Sequence, residues 1–160
     1  MRNSKVKGFT LIELIVVIAI IGVLAAILVP SMLGYLRNAR ISAANANAKL
    51  VNTAVATALT SANAAGATAS DVASTYTIQA GSDPTATFGT HYTAHWNDYL
   101  GESYKGSATV YVKPSAFAVL YALWEDSTTA PTGSQLNAQT QENDARTNGK
   151  IVGCYPLSNS

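Results

Sequence analysis

Charged side chains are scarce in this 160-residue chain. Asp, Glu, Lys and Arg make up 12% of the sequence, and the formal net charge is +1. A balance this close to neutral lacks the basic surface typical of nucleic-acid-binding proteins, and it favours no polyacidic partner. We therefore expect no nucleic acid among the partners of this chain.

Cysteine is nearly absent as well. Cys154 is the single cysteine, so the chain cannot form an intramolecular disulfide. Any globular part must be held together by packing and hydrogen bonds. A lone cysteine usually behaves as a small apolar residue, and we expect Cys154 to be buried.

Motifs for catalysis or ligand binding are also missing. The sequence has no nucleophile elbow and no phosphate-binding glycine loop. His91 and His95 have the spacing of two metal ligands on a helix, but glycine and threonine around them disfavour a helix. Asp98 and Glu102 offer too few oxygen ligands to predict a calcium site. We predict that the chain is not an enzyme and binds no metal or cofactor.

In place of charge, the chain has a long apolar run near its N-terminus. Residues 14–36 are 23 residues without Asp, Glu, Lys or Arg. As a helix they would be about 34 Å long, enough to cross a hydrocarbon core of about 30 Å. Arg2, Lys5 and Lys7 precede the run and favour a cytoplasmic N-terminus.

Two ordinary interpretations compete for this run. A secretory signal has an apolar region of about 7 to 15 residues, shorter than this one, and no convincing cleavage site follows here. A plain membrane anchor would explain the length and the orientation. Neither explains why an acid, Glu13, stands at the start of the run.

Glu13 is the unusual residue of the apolar segment. An ionised side chain in the apolar part of a membrane costs a few kcal/mol, so such acids are rare and usually paired. If the chain were cut between Gly8 and Phe9, the new α-amino group of Phe9 would be a cation at the start of the helix. That cation could meet Glu13 of a parallel, axially staggered copy. The alternative is that Glu13 lies unpaired at the headgroup boundary.

The stretch "KGFTLIELIVVIAIIGVLAAILVPSMLGYLRNAR" resembles the signal and first helix of type IV pilins and of the related pseudopilins. The most specific part is the string from Gly8 to Glu13, and the likeness covers the first third of the chain. The resemblance implies that a prepilin peptidase cuts after Gly8 and N-methylates Phe9. It also implies that Glu13 guides each subunit into a growing filament.

The resemblance implies a structural function. The chain would be the major pilin of a type IV pilus, a homopolymer assembled by a platform protein and a cytoplasmic ATPase. The precursor would lie in the inner or cytoplasmic membrane, and the filament would be extracellular. A pseudopilin of a type II secretion or competence system is the alternative, and a membrane-anchored binding or enzymatic domain is a third. The chain departs from many Gram-negative pilins because it lacks a second cysteine for their C-terminal disulfide loop.

Gly22 and Pro30 weaken the predicted helix. Pro30 has no amide hydrogen, and Gly22 lowers helix propensity by about 1 kcal/mol relative to alanine. The resemblance implies that the segment between them can bend or melt in a filament. The alternative is that Pro30 only kinks a membrane helix.

Beyond the apolar run, the periodicity changes to that of an amphipathic helix. We predict one helix from about Phe9 to about Ala65, ended by Gly66, whose second half packs on a sheet. The predicted packing face recurs at three- and four-residue steps: Ile41, Ala44, Ala48, Val51, Val55, Ala58 and Ala62, widened by Leu50 and Leu59.

The predicted fold class is α+β, with the long helix on a small antiparallel sheet of three or four strands. Strands are predicted at residues 75–79, in "SATVYVK", in "AFAVLYALWE" and in "KIVGCYP", with a hairpin turn at Pro114 and Ser115. A helix is an alternative for residues 116–125. Residues 127–149 are predicted to be a polar loop, and "TFGTHYTAHWNDYLGESYKG" stays unassigned.

These predictions divide the chain into four segments. Residues 1–8 would be a leader peptide and residues 9–36 a hydrophobic helix for the membrane and the filament core. Residues 37–65 would continue that helix in amphipathic form, and residues 66–160 would be a globular head.

Overall fold

The structure is a computed structural model that describes residues 8–79, 85–101 and 104–158. Leader residues 1–7 and Glu102 of the calcium candidate lie outside the described residues. The chain forms two compact units, Met1–Arg37 and Asn38–Ser160.

The first unit contains the beginning of α1, a helix assigned over Leu11–Ala64. The helix is unbroken at Gly22 and at Pro30. Every large apolar side chain from Phe9 to Leu36 is exposed. Within the described residues, α1 is the one helix long and apolar enough to cross a membrane.

The second unit is an α+β head, as predicted. A four-stranded antiparallel sheet has the order β1-β4-β5-β6, and a separate two-stranded sheet pairs β2 with β3. The elements that follow α1 are β1 (Thr75–Gln79), β2 (Thr85–Phe88), β3 (Tyr92–His95), α2 (Trp96–Leu100), β4 (Ser107–Lys113), β5 (Ala118–Glu125), α3 (Ala138–Thr147) and β6 (Val152–Tyr155).

The second half of α1 packs on the four-stranded sheet through the predicted face. Ile41 is half-buried, and Leu50 is 45% exposed, so Leu50 does not widen the face as expected. Leu59 does. The buried helix residues are Ala44, Ala48, Val51, Ala54, Val55, Ala58, Leu59 and Ala62.

Gly153 brings β6 into direct contact with α1. A Cβ atom built on Gly153 would lie 2.0 Å from the carbonyl oxygen of Ala44 and 2.8 Å from the amide nitrogen of Asn45. Because both atoms belong to the helix backbone, neither can move aside cheaply. Only glycine fits where the last strand crosses the helix.

A pair of side-chain amides, buried Gln141 and half-buried Asn45, attaches the same strand to the helix. Gln141 Nε2 donates to Asn45 Oδ1 at 2.6 Å and to the carbonyl of Val152 at 2.8 Å, while Asn45 Nδ2 donates back to Gln141 Oε1 at 3.1 Å. The amide of Cys154 donates to Asn45 Oδ1 at 2.9 Å. Asn45, Gln141 and these two backbone groups, called the amide clamp below, join α1, α3 and β6.

Residues 127–137 cover the face of the sheet that points away from α1. Tyr121 Oη donates to the carbonyl of Gly133 at 3.1 Å, and the amide of Gly133 donates to Tyr111 Oη at 3.3 Å. The amide of Leu136 donates to Cys154 Sγ at 3.4 Å. Cys154 is buried, as predicted, and this burial raises the pKa of its thiol.

This cover explains an unexpected burial pattern in β4. Simple alternation predicts that Thr109 faces away from the core, yet Ser107 and Thr109 are both buried. Ser107 Oγ donates to the carbonyl of Ser127 at 2.7 Å, at the start of the covering segment. Both faces of β4 are therefore covered.

Two sequence predictions for the head need correction. Residues 127–149 are not all loop, because α3 begins after Asn137, whose Oδ1 accepts a hydrogen bond from the amide of Thr140 at 2.8 Å. Residues 118–125 form β5, so the helical alternative there is wrong. The hairpin at Pro114 and Ser115 is confirmed. The unassigned stretch contains most of the β2–β3 hairpin and α2.

The amide clamp predicts a large difference between two glutamines of α3. Gln141→Leu leaves Asn45 and the carbonyl of Val152 without their buried partner, which should lower the free energy of unfolding by about 2 kcal/mol. Gln139 donates a hydrogen bond only to exposed Asn143. Gln139→Leu should therefore change the free energy of unfolding by less than about 0.5 kcal/mol. Urea unfolding of the full chain in detergent, followed by tryptophan fluorescence, measures both. Equal losses would contradict a structural role for the clamp.

Candidate assembly site

The residues predicted for processing stand just before α1 begins. Gly8, Phe9 and Thr10 are not helical, and all three are exposed. Phe9 is 82% exposed, and a Cβ atom at Gly8 would meet nothing within 4 Å. The Gly8–Phe9 peptide bond is thus uncovered by the described part of the chain.

Thr10 and Glu13 form a capping box at the start of α1. Thr10 donates to Glu13 Oε2 from its amide at 2.8 Å and from its hydroxyl at 2.6 Å. The amide of Glu13 donates back to Thr10 Oγ1 at 3.3 Å. A carboxylate at this position also lies near the positive end of the helix dipole. Glu13 therefore has hydrogen-bond partners within its own chain.

The role of Thr10 was missed in the sequence analysis, although its signal was present. Threonine followed three residues later by glutamate, before an apolar run, is the pattern of a capping box. The hydrogen bonds do not neutralise the negative charge of Glu13. A cation from outside the chain can still pair with it.

Apolar side chains surround this carboxylate. Phe9, Ile12, Val16 and Val17 line a shallow depression of about 390 Å³ next to Glu13. All four side chains are exposed. An acid with an apolar rim suits a cation that is carried on another apolar helix.

The two helix-weakening residues are not needed for packing within the chain. A Cβ atom at Gly22 would meet nothing within 4 Å, and Pro30 lies inside the helix without interrupting it. Ser31 Oγ donates to the carbonyl of Leu28 at 2.9 Å beside the proline. Bending or melting of this segment in a filament stays a prediction.

The metal candidates are not on one helix. His91 lies in the turn between β2 and β3, and His95 ends β3 directly before α2. Asp98 lies in the first turn of α2. Across residues 8–79, 85–101 and 104–158, no three His, Cys, Asp or Glu side chains are grouped to hold a metal ion.

The capping box predicts how Thr10 variants behave. Thr10→Val removes the hydroxyl bonds and should speed amide hydrogen exchange at residues 13 and 14 about fivefold, because a lost cap costs about 1 kcal/mol. Thr10→Ser keeps a hydroxyl and should exchange like the wild type. NMR hydrogen exchange on the full chain in micelles measures this, and unchanged exchange in Thr10→Val would contradict the capping role.

Comparisons with known proteins find one matching motif and several similar proteins. A family profile described as the prokaryotic N-terminal methylation motif matches residues 3–29. The type IV major fimbrial protein FimA of Dichelobacter nodosus is 45% identical over 57 residues, 36% of each chain. The type IV major pilin protein PilA of Myxococcus xanthus is 46% identical over 52 residues, 32% of this chain and 24% of its own length. The type IV major pilin protein PilE1 of Neisseria gonorrhoeae is 52% identical over 42 residues, 26% of each.

The chain thus matches about a third or less of the length of these curated relatives. No solved structure matches. The methylation motif includes the beginning of α1, and the long helix on a small antiparallel sheet is the architecture of the pilin fold. The methylation motif and this architecture are both similar to those of type IV pilins.

Proposed function

We propose that this chain is the major structural subunit of a type IV pilus. The observation that carries the proposal is that every large apolar side chain from Phe9 to Leu36 is exposed. Covering one such side chain is worth about 1.5 to 3 kcal/mol. A helix with so many uncovered residues needs a lipid environment or other copies of itself, and a pilin uses each in turn.

Processing would convert a membrane precursor into an assembly-competent subunit. A prepilin peptidase would cut the uncovered bond between Gly8 and Phe9 and N-methylate the new terminus. The free amine of Phe9 would then carry the positive charge that the precursor lacks at this point. The exposure of Gly8 and Phe9 supports this step.

Glu13 would set the register between copies. The amine of Phe9 on an incoming subunit would pair with Glu13 of a subunit already in the filament. Removing one member of a buried ion pair typically costs about 3 to 5 kcal/mol, so a misplaced copy would be strongly disfavoured. The apolar rim around Glu13 supports the pairing, because low polarity strengthens an ion pair.

The remaining partners follow from this assignment. A platform protein and a cytoplasmic ATPase would drive subunits from the inner or cytoplasmic membrane into an extracellular filament. The head would be structural and not catalytic. A pseudopilin would share the whole N-terminal site, but the three relatives named above are major pilins or a major fimbrial protein, which favours the pilus.

The first test is the identity of the mature chain on the cell surface. The main band of sheared surface filaments should begin at N-methylated Phe9 when it is analysed by mass spectrometry, with filaments visible by electron microscopy. A chain that keeps Met1 would point to a plain anchor. A start beyond Pro30 would point to a secretory signal.

The second test separates charge pairing from helix capping at Glu13. Glu13→Gln keeps an oxygen that can accept the hydrogen bonds of Thr10 but loses the negative charge. Both Glu13→Gln and Glu13→Ala should remain in the membrane fraction and fall at least tenfold in sheared filaments. Immunoblots of the two fractions measure this, and a wild-type filament yield in Glu13→Gln would refute the pairing mechanism.

A further inference from the structure

A charged cleft opens beside α1 in the second unit. Its volume is about 560 Å³, within the usual range of small-molecule sites, which is about 300 to 1,000 Å³. Arg40 of α1 lines it together with Trp124 and Glu125 of β5, Asp126 after β5, and Lys150 before β6. The cleft contains none of the residues assigned to assembly.

The cleft contains charges of both signs. Lys150 Nζ lies 3.3 Å from Glu125 Oε2, so these two side chains form an ion pair. Arg40 and Asp126 are exposed and form no ion pair with any residue that the structure describes. One cation and one anion on the cleft wall therefore remain available to a ligand.

The position of Arg40 in the sequence suggests where such a ligand resides. Arg40 follows Leu36, the last residue of the uncharged run, by four residues, or about one helical turn. With the run inserted in a bilayer, residues just beyond it reach the headgroup layer. Arginine is suited to that layer, because its apolar stem carries a charged group that can reach the headgroups.

We propose that this cleft binds the phosphoethanolamine headgroup of a membrane phospholipid. The Arg40 guanidinium binds the phosphate, and the Asp126 carboxylate accepts hydrogen bonds from the ammonium group. Because Glu125 is paired with Lys150, the remaining Arg40 and Asp126 carry opposite charges and favour a zwitterionic headgroup over a purely anionic one. Phosphocholine fits less well, since its quaternary nitrogen has no hydrogen to donate. The site depends on insertion of the N-terminal helix in a membrane, but not on polymerisation.

The chain contains its own reporter for this site. Trp124 lines the cleft, and its indole N–H donates to the carbonyl of Lys105 at 3.1 Å. Trp96, the other tryptophan, is buried against Tyr76 and Tyr99 and does not line the cleft. The two indole N–H signals in an NMR spectrum provide a probe and an internal control.

The first experiment titrates soluble phosphoethanolamine into the full chain in phosphatidylcholine nanodiscs. The Trp124 indole signal should shift in a saturable way, and the Trp96 signal should not. Arg40→Gln should raise the Kd about tenfold, as expected for loss of a hydrogen bond to a charged group. Arg37→Gln, which removes a basic residue outside the cleft, should leave the Kd unchanged.

Three results of this titration would overturn the proposal. They are no shift of Trp124, an equal shift with inorganic phosphate alone, and an equal loss of affinity in Arg37→Gln. An equal shift with phosphate would mean that the cleft is a simple anion site. An equal loss in Arg37→Gln would mean that basic residues in general attract the ligand.

The second experiment identifies the source of the headgroup. The full chain is inserted in vesicles with equal parts of phosphatidylethanolamine, phosphatidylglycerol and phosphatidylcholine, and native mass spectrometry counts the retained lipids. Wild type and Arg37→Gln should retain phosphatidylethanolamine, and Arg40→Gln should lose it.

Preferential retention of phosphatidylglycerol would overturn the zwitterionic site. Binding of soluble phosphoethanolamine without lipid retention would overturn the lipid source. Glu13→Gln should retain the lipid, which separates this proposal from the assembly mechanism.

Discussion

The structure depends on one constraint, which is that the apolar half of α1 cannot remain in water. Its large side chains are exposed from Phe9 to Leu36, while the head buries its own core. The hydrophobic effect requires a cover for the helix, but it does not specify which cover. Lipid and neighbouring apolar helices are nearly equivalent in that respect. The choice between membrane and filament must therefore be made by polar groups, and the polar groups at the start of the helix are few.

Glu13 is suited to make that choice because it has two kinds of interaction. Two hydrogen bonds from Thr10 reach Oε2 of Glu13 within one chain, so the precursor does not carry a bare carboxylate. Its charge stays available, and in our proposal the amine released at Phe9 neutralises it in a neighbouring copy. In this proposal, helix capping accommodates Glu13 in the precursor, and cleavage supplies the amine that pairs with it.

The sequence was sufficient for features that follow from local pattern. Three- and four-residue periodicity located the buried face of α1 from Ala44 to Ala62, and apolar strands with turn residues between them located β4, β5 and β6. Features that depend on contacts between residues far apart in the sequence could not be predicted from local pattern. Nothing local shows that Gly153 must touch Ala44, or that a covering segment buries Thr109. The α3 helix was predictable in principle from its asparagine cap and from the lack of glycine and proline up to Gly149. Its polar composition led instead to the prediction of a loop.

The amide clamp has a consequence for maturation of the head. Many Gram-negative pilins use a disulfide near the C-terminus, whereas here Asn45 and Gln141 attach the final strand, and the lone thiol of Cys154 is enclosed. Hydrogen-bonded amides form spontaneously as the chain folds and need no electron acceptor. A subunit built in this way can mature without thiol-oxidising catalysts, and reductants around the cell would leave its last strand in place.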